Sequence, residues 1–321
     1  MIIDSKEDNV DTSNIVYHYT SQEGLLSILR NKTLWFTDAQ FLSDKGELSI
    51  VLDSSLEAKE KVYEETENET KRGLLKEIES YIEYLKQGGN IYENYYKTYP
   101  NDGISGIEKE RYYILCASKD PDASGLWNYY VKNDNYCGYN IGINLDAIKD
   151  VWKQKVSIQY GDVIYDKTEQ VNIFYDFISD YIKSCDPKND GEIEMAKLGL
   201  IGKLGLKIDE HKMFFKATAF RDEKEYRFVI EDKTIIEKNQ RIEDERILDD
   251  STKREFRLGK SGVPTPYIEW NWGELAPNLI KQISLSPMME YDLAKESLEQ
   301  LFFDYNHDGI DIIPSSIKAR F

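Results

Sequence analysis

The chain has 321 residues, 59 of them acidic against 41 lysines and arginines, for a formal net charge of −18. A hydrophobic fraction of 40% beside 31% charged residues is the composition of a folded globular protein and excludes wholesale disorder. The negative balance repels phosphodiester backbones and acidic membrane surfaces. The apolar runs are too short and too broken by charge to cross a bilayer, so neither a membrane nor a strong nucleic-acid signal is present.

MIIDSKEDNVDTSN, residues 1–14, reads as an acidic leader without the basic and apolar regions of a signal peptide. Next comes the strand-like NIVYHYT, and then QEGLLSILRNK, where Leu25, Leu26, Ile28 and Leu29 recur at helical spacing. Thr20 or Ser21 can cap that helix, and TLWFTDA reads as a second strand. The stretch 47–100 is a helical insertion rich in Glu, Lys and Tyr, with Ser43 or Asp44 and Glu47 in capping-box form. RYYILCAS is a strand, SGLWNYYV a short helix capped by Ser124, YCGYNIGINL a strand, and VSIQYGDVIY a candidate strand pair. A second helical insertion lies near 168–206. The strand Glu225 to Ile230, the hairpin-like FRLGKSGVPTPYIEW, the strand LIKQISLSP, the helix MEYDLAKESLEQLFFDY and the strand GIDIIPSS complete the chain. The expected fold is a single α+β domain over 15–321, with a mixed, largely antiparallel central sheet and two helical insertions.

Three widely spaced cysteines, Cys116, Cys137 and Cys185, form no CxxC motif, which implies free thiols and a cytoplasmic setting. DYNHDGID at 304–311 imitates the start of a calcium loop. Its twelfth position is Ser315 rather than a bidentate glutamate, so Asp308-Gly309 reads as a tight turn and no metal is expected.

His18 alternates with Tyr17 and Tyr19, so on a strand it shares a face with Val16 and Thr20. An isolated strand histidine is ordinarily a hydrogen-bonded structural residue. In FRDEKEYRFVI the same period puts Glu223, Glu225 and Arg227 on one face, either as a surface ion ladder or as a polar site at the end of a central strand. A carboxylate so placed can orient a ribose hydroxyl or stabilise a developing cation. Trp127 and Tyr130 share a helix face as core packing or as a stacking wall.

YHYTS with GLLSIL and LWFTD, SDKGE, ILCAS with GLWNYY, FKATAFRDEKEYRFVI and the terminal SSIKARF together resemble a large, mainly bacterial family catalogued as a domain of unknown function. Its members show a strand HYT, a segment CFS-x-LW-x-x-Y and a late F-x-x-E-x-E-x-R strand. The chain departs from the family at Ser43, Lys45 and Ala117. The His18 strand, the helix GLLSILRNK and KEYRFVI also resemble the core elements of ADP-ribosyltransferases of the diphtheria-toxin and poly-ADP-ribose polymerase type. That resemblance implies NAD as the substrate, a ribose hydroxyl held by His18, and Glu225 stabilising an oxocarbenium-like state, with Glu223 as its paired glutamate. Tyr19, Thr20, Ser118, Trp127, Tyr130 and Arg227 would be further cofactor contacts, and Tyr113, Trp127 and Tyr130 compete as the ring that stacks on nicotinamide. The implied activity is ADP-ribosyl transfer to a macromolecular target, or NAD hydrolysis, in a bacterial toxin or anti-phage defence setting. The alternative is a non-catalytic nucleotide-sensing or interaction module of such a system. A metal-dependent nuclease built on Asp44, Glu47, Glu223 and Glu225 is a third reading, and the acidic charge and missing ligand spacing count against it.

Overall fold

β-branched and aromatic runs become strands, and runs with apolar residues every three or four positions become helices. The computed structural model describes residues 14–42, 47–89, 104–131, 136–152, 158–237, 240–243, 252–259 and 262–318. In chain order its elements are β1 (Ile15–Ser21), α1 (Gln22–Asn31), β2 (Thr33–Asp38), α2 (Glu47–Glu65), α3 (Glu69–Lys86), β3 (Ile104–Ser118), α4 (Ser124–Val131), β4 (Gly138–Asn144) and α5 (Leu145–Trp152). They continue with β5 (Ile158–Asp162), α6 (Lys167–Ser184), α7 (Asp190–His211), β6 (Glu225–Glu237), β7 (Gln240–Glu243), β8 (Thr252–Leu258), β9 (Pro264–Asn271), β10 (Ile280–Leu285), α8 (Tyr291–Tyr305) and β11 (Asp311–Ile313). The fold is α+β, and its described strand ladders are antiparallel except for β10 with β11.

The chain gathers into two compact units, each drawn from separate stretches of sequence: Met1–Leu34, Cys116–Val156 and Trp270–Phe321 in the first, Trp35–Leu115 and Ser157–Glu269 in the second. In the first unit β4 lies between β1 and β10, with His18 opposite Ile141 and Ile283 opposite Ile141 from the other side. Ile15, Tyr17 and Tyr19 leave one face of β1 to pack with Trp127 and Val131 of α4. Ser21 caps α1 by accepting from the Gly24 N–H at 3.1 Å, and Lys32 closes that helix in the left-handed region at φ 52°. Ser124 is the first residue of α4 and not its cap, because the helix opens with the Trp127 N–H donating to the Ala123 carbonyl at 3.0 Å.

In the second unit four helices share a core. α3 contributes Leu74, Ile78 and Ile82, α6 contributes Val171, Phe174, Ile178 and Ile182, and α7 contributes Leu200, Leu204 and Ile208, each set at helical spacing. Against them α2 buries Val51, Leu52, Ala58 and Val62. Side-chain caps start three of these helices: Asn68 on α3, Asp166 on α6 and Asn189 on α7. GLIGKLG therefore lies inside α7. VSIQYGDVIY gives the single strand β5 followed by an isolated bridge, Ile164 to Phe215, instead of a strand pair. β6 is flanked by β3 and β5, and its residues Phe228, Val229 and Ile230 are buried. That is the central strand its apolar run implies. Ser43 and Asp44 lie outside the described residues, as does the Glu47 side chain.

Candidate functional site

The entrance to β6 carries four charged side chains in one network. β5 pairs with β6 so that Gly161 faces Arg227 and Asp162 faces Tyr226, and the Val163 N–H donates to the Glu225 carbonyl at 3.0 Å. The backbone around Lys216 is held from the other side, where the Gln170 amide donates to the Ile164 and Lys216 carbonyls at 2.6 and 3.0 Å. On this frame Arg227 grips Glu225 with two parallel bonds, Nε to Oε1 at 2.8 Å and Nη2 to Oε2 at 3.0 Å. Its Nη1 donates to the Met213 carbonyl at 2.7 Å. The fork geometry of a guanidinium suits such a pair. Lys216 Nζ then donates to Glu225 Oε2 at 3.1 Å and to Glu223 Oε2 at 2.7 Å, and it lies over the Phe220 ring at 4.9 Å.

Two cations and two carboxylates balance, which makes burial of the group tolerable. Glu225, Arg227 and Lys216 are 6%, 2% and 7% exposed, whereas the Glu223 side chain retains 34% exposure. Of the four, Glu223 is the one that reaches solvent. Burial alone would pull the Lys216 ammonium down, but the charges of Glu225 and Glu223 outweigh it and hold the group above the ordinary lysine range. Burial also pushes the Tyr165 hydroxyl up to about 12. That hydroxyl accepts from the Glu225 N–H at 3.0 Å.

Glu223 does not lie on the strand. It ends a 3-10 turn, Thr218–Glu223, and Lys224 then takes a left-handed conformation at φ 43°. The strand period therefore does not extend back to Glu223, and the shared Lys216 ammonium is what brings the two glutamates together. Sequence reasoning missed Lys216 and Tyr165. FFKATAF carried a signal for the first, since a lysine set among apolar and aromatic residues is buried only with a partner.

His18, Tyr19, Thr20, Ser118, Trp127 and Tyr130 belong to the first unit. The His18 Nδ1–H donates to the Cys116 carbonyl at 2.8 Å. The Tyr19 hydroxyl donates to the Asp120 carbonyl and accepts from the Ala123 N–H, both at 2.8 Å. Its ring meets Trp127 edge-on at 4.7 Å and stacks with Tyr130 at 6.3 Å. Trp127 is 3% exposed and its Nε1 donates to Asp122 at 2.8 Å, so it is a core residue, while Tyr130 is exposed. Ser118 Oγ accepts from the Asp120 N–H at 3.0 Å. Thr20 stands so close to α1 that a Cβ on Gly24 would meet its Oγ1 at 2.1 Å.

Asp122, also missed from sequence, ties the carboxyl-terminal segment to this aromatic group. Its carboxylate accepts from Ser315 Oγ, the Ser316 N–H and Ser316 Oγ at 2.7, 2.7 and 2.8 Å, and Ile317 packs beside Trp127 and Tyr19. Burial pushes the Asp122 carboxyl up, but the hydrogen bonds from Ser315, Trp127 and Ser316 outweigh it and hold it below the ordinary carboxylate value. Tyr113 lies in the second unit, 2% exposed.

Among the described residues no group of histidine, cysteine, aspartate and glutamate is arranged to hold a metal ion, and no helix is long and apolar enough to cross a membrane. The model of a family described as a protein of unknown function (DUF2971) matches residues 126–228, a stretch that includes Trp127, Tyr165, Lys216, Glu223, Glu225 and Arg227. No curated protein and no solved structure shows significant similarity to the chain.

Proposed function

We propose that the chain acts on NAD, breaking the bond between ribose C1′ and the nicotinamide nitrogen and passing the ADP-ribosyl group to water or to a macromolecular target. In that reaction the bonding electrons leave with the pyridinium nitrogen, which becomes neutral nicotinamide. The ribose carbon is left as an oxocarbenium-like centre that water or a nucleophile of the target captures. A fixed negative charge beside the ribose lowers this barrier, because it is complementary to charge that develops only at the transition state. The observation that carries the reading is the Lys216 ammonium shared between Glu223 and Glu225. It holds a partly exposed carboxylate at the end of the turn that leads into β6. Glu223 is then the catalytic carboxylate, and Glu225, Lys216 and Arg227 are positioning residues that hold its geometry. The resemblance to ADP-ribosyltransferases adds a bacterial toxin or anti-phage defence setting.

A nucleotide-sensing module without turnover is the second reading, favoured by one observation. Both oxygens of Glu225 already accept from cations, as in a structural ion pair. Incubation of the purified chain with NAD separates the two. Release of nicotinamide that disappears in Glu223→Gln supports the enzyme, while a thermal shift with NAD and no nicotinamide under any condition supports the sensor.

A further inference from the structure

The ion pairs at the entrance to β6 leave the Tyr165 hydroxyl unused as a donor. Its oxygen accepts from the Glu225 N–H at 3.0 Å, while its own proton has no acceptor among the described residues. Burial keeps that proton in place at neutral pH, with the group pushed up to about 12. The charges of Glu225, Lys216 and Glu223 all act on it, so a spare donor stands beside the network that carries the solvent-reaching carboxylate.

The backbone under Tyr165 is pinned. The Ile164 N–H donates to the Phe214 carbonyl at 2.7 Å, and the Lys216 N–H returns to the Ile164 carbonyl at 3.2 Å. The Tyr165 carbonyl accepts from Thr218 Oγ1 at 2.7 Å, and Thr218 begins the turn that ends at Glu223. The same turn carries Phe220, 41% exposed, whose ring lies 4.9 Å from the ammonium that donates to Glu223 at 2.7 Å.

We infer that Tyr165, Phe220 and Glu223 form a ribose-binding surface: the Tyr165 hydroxyl donates to one hydroxyl of the sugar, the Glu223 carboxylate accepts from its neighbour, and Phe220 covers a C–H face of the ring. A vicinal diol offers a donor and an acceptor on adjacent carbons, which complements this pair. An anionic group fits poorly, because Glu223 would stand against it and Lys216 is already shared between two carboxylates. An aliphatic ligand would leave both polar groups without partners. The inference rests on the NAD reading and names the ribose beside nicotinamide as the part of the substrate that this surface reads.

Isothermal titration calorimetry of the full chain with ADP-ribose, which keeps the terminal ribose but has no nicotinamide to release, tests it apart from turnover. ADP, which lacks that ribose, is the second probe. The parent chain is expected to bind ADP-ribose more tightly than ADP. Tyr165→Phe is expected to weaken ADP-ribose about tenfold with ADP unchanged, and Phe220→Ala, at an exposed position, to weaken it with the same selectivity. In nicotinamide release Tyr165→Phe is expected to raise KM for NAD at little-changed kcat. A fall in kcat at constant KM would mean that Tyr165 only holds the Glu225 backbone, and would overturn the contact. Equal affinity of the parent and both variants for ADP-ribose, an equal loss for ADP, or no binding of ADP-ribose by the parent would each overturn the proposal as well. Selective binding of ADP-ribose without nicotinamide release would instead sink the cleavage reading and support the ribose surface.

Discussion

Lys216 is the residue on which the two glutamates depend, and its removal and theirs have different consequences. Glu225→Gln leaves Arg227 and Lys216 buried against a neutral amide. It is expected to lower stability by about 3 kcal/mol, read from the urea midpoint. Glu223→Gln changes a side chain that solvent already screens, and a cost below about 1 kcal/mol is expected. The pair of denaturation curves therefore distinguishes a positioning glutamate from one available for chemistry. Histidines give a separate residue-scale prediction. His307, whose Nε2–H donates to the Leu29 carbonyl at 2.8 Å, is held below the ordinary value of 6.5, chiefly by burial, and so is His211. The folded chain thus binds protons less readily than the unfolded one. Their stabilising effect is complete above about pH 6.5 and is lost as pH falls toward the depressed folded values. Stability measured by urea is expected to decline across that interval, with a shallower decline in His307→Gln. Asp122 acts further down the scale, since a carboxyl held below 3.8 adds stability that is present above about pH 4 and lost as pH falls through its folded value.

At the scale of elements, close approaches determine what the chain tolerates. A Cβ on Gly138 would stand 2.1 Å from Val131 Cγ1 and 3.0 Å from the Thr20 carbonyl, so β4, α4 and the end of β1 are spaced for a glycine there. Gly138→Ala is expected to cost about 1–3 kcal/mol and to shift the near-ultraviolet signal of Trp127 and Tyr19. Ser21→Ala removes the α1 cap and is expected to cost about 1 kcal/mol, checked by thermal melting. Most elements were legible because their periodicities are strong: the 3.6-residue pattern of Val171, Phe174, Ile178 and Ile182, or the β-branched run at β1. The failures are local. Ser124 looked like a cap, but the turn before α4 is held by Tyr19, Ser118 and Asp122, which come from other elements or earlier in the turn. Glu223 looked like a strand residue because a period of two has no built-in start, and only the left-handed Lys224 marks where β6 begins.

At the scale of the molecule, the α+β class and the order of elements followed from composition and pattern, whereas the gathering of the chain into two non-contiguous units did not. Strands such as β1 and β4 lie more than a hundred residues apart, and long-range pairing leaves no periodic trace in a single sequence. The same limit explains the site. Glu223, Glu225 and Arg227 were visible as a short charged motif, but Lys216 enters from before the turn and Tyr165 from sixty residues upstream. Ser315 and Ser316 reach Asp122 across nearly two hundred residues. The central claim, that the carboxylate held by Lys216 serves NAD cleavage, is tested most directly by the rate of nicotinamide release from NAD by the parent chain and by Glu223→Gln. The account predicts measurable release that falls about 10²- to 10³-fold in the variant with its melting temperature unchanged. Equal release by both chains, or none by the parent chain with any target, would contradict it.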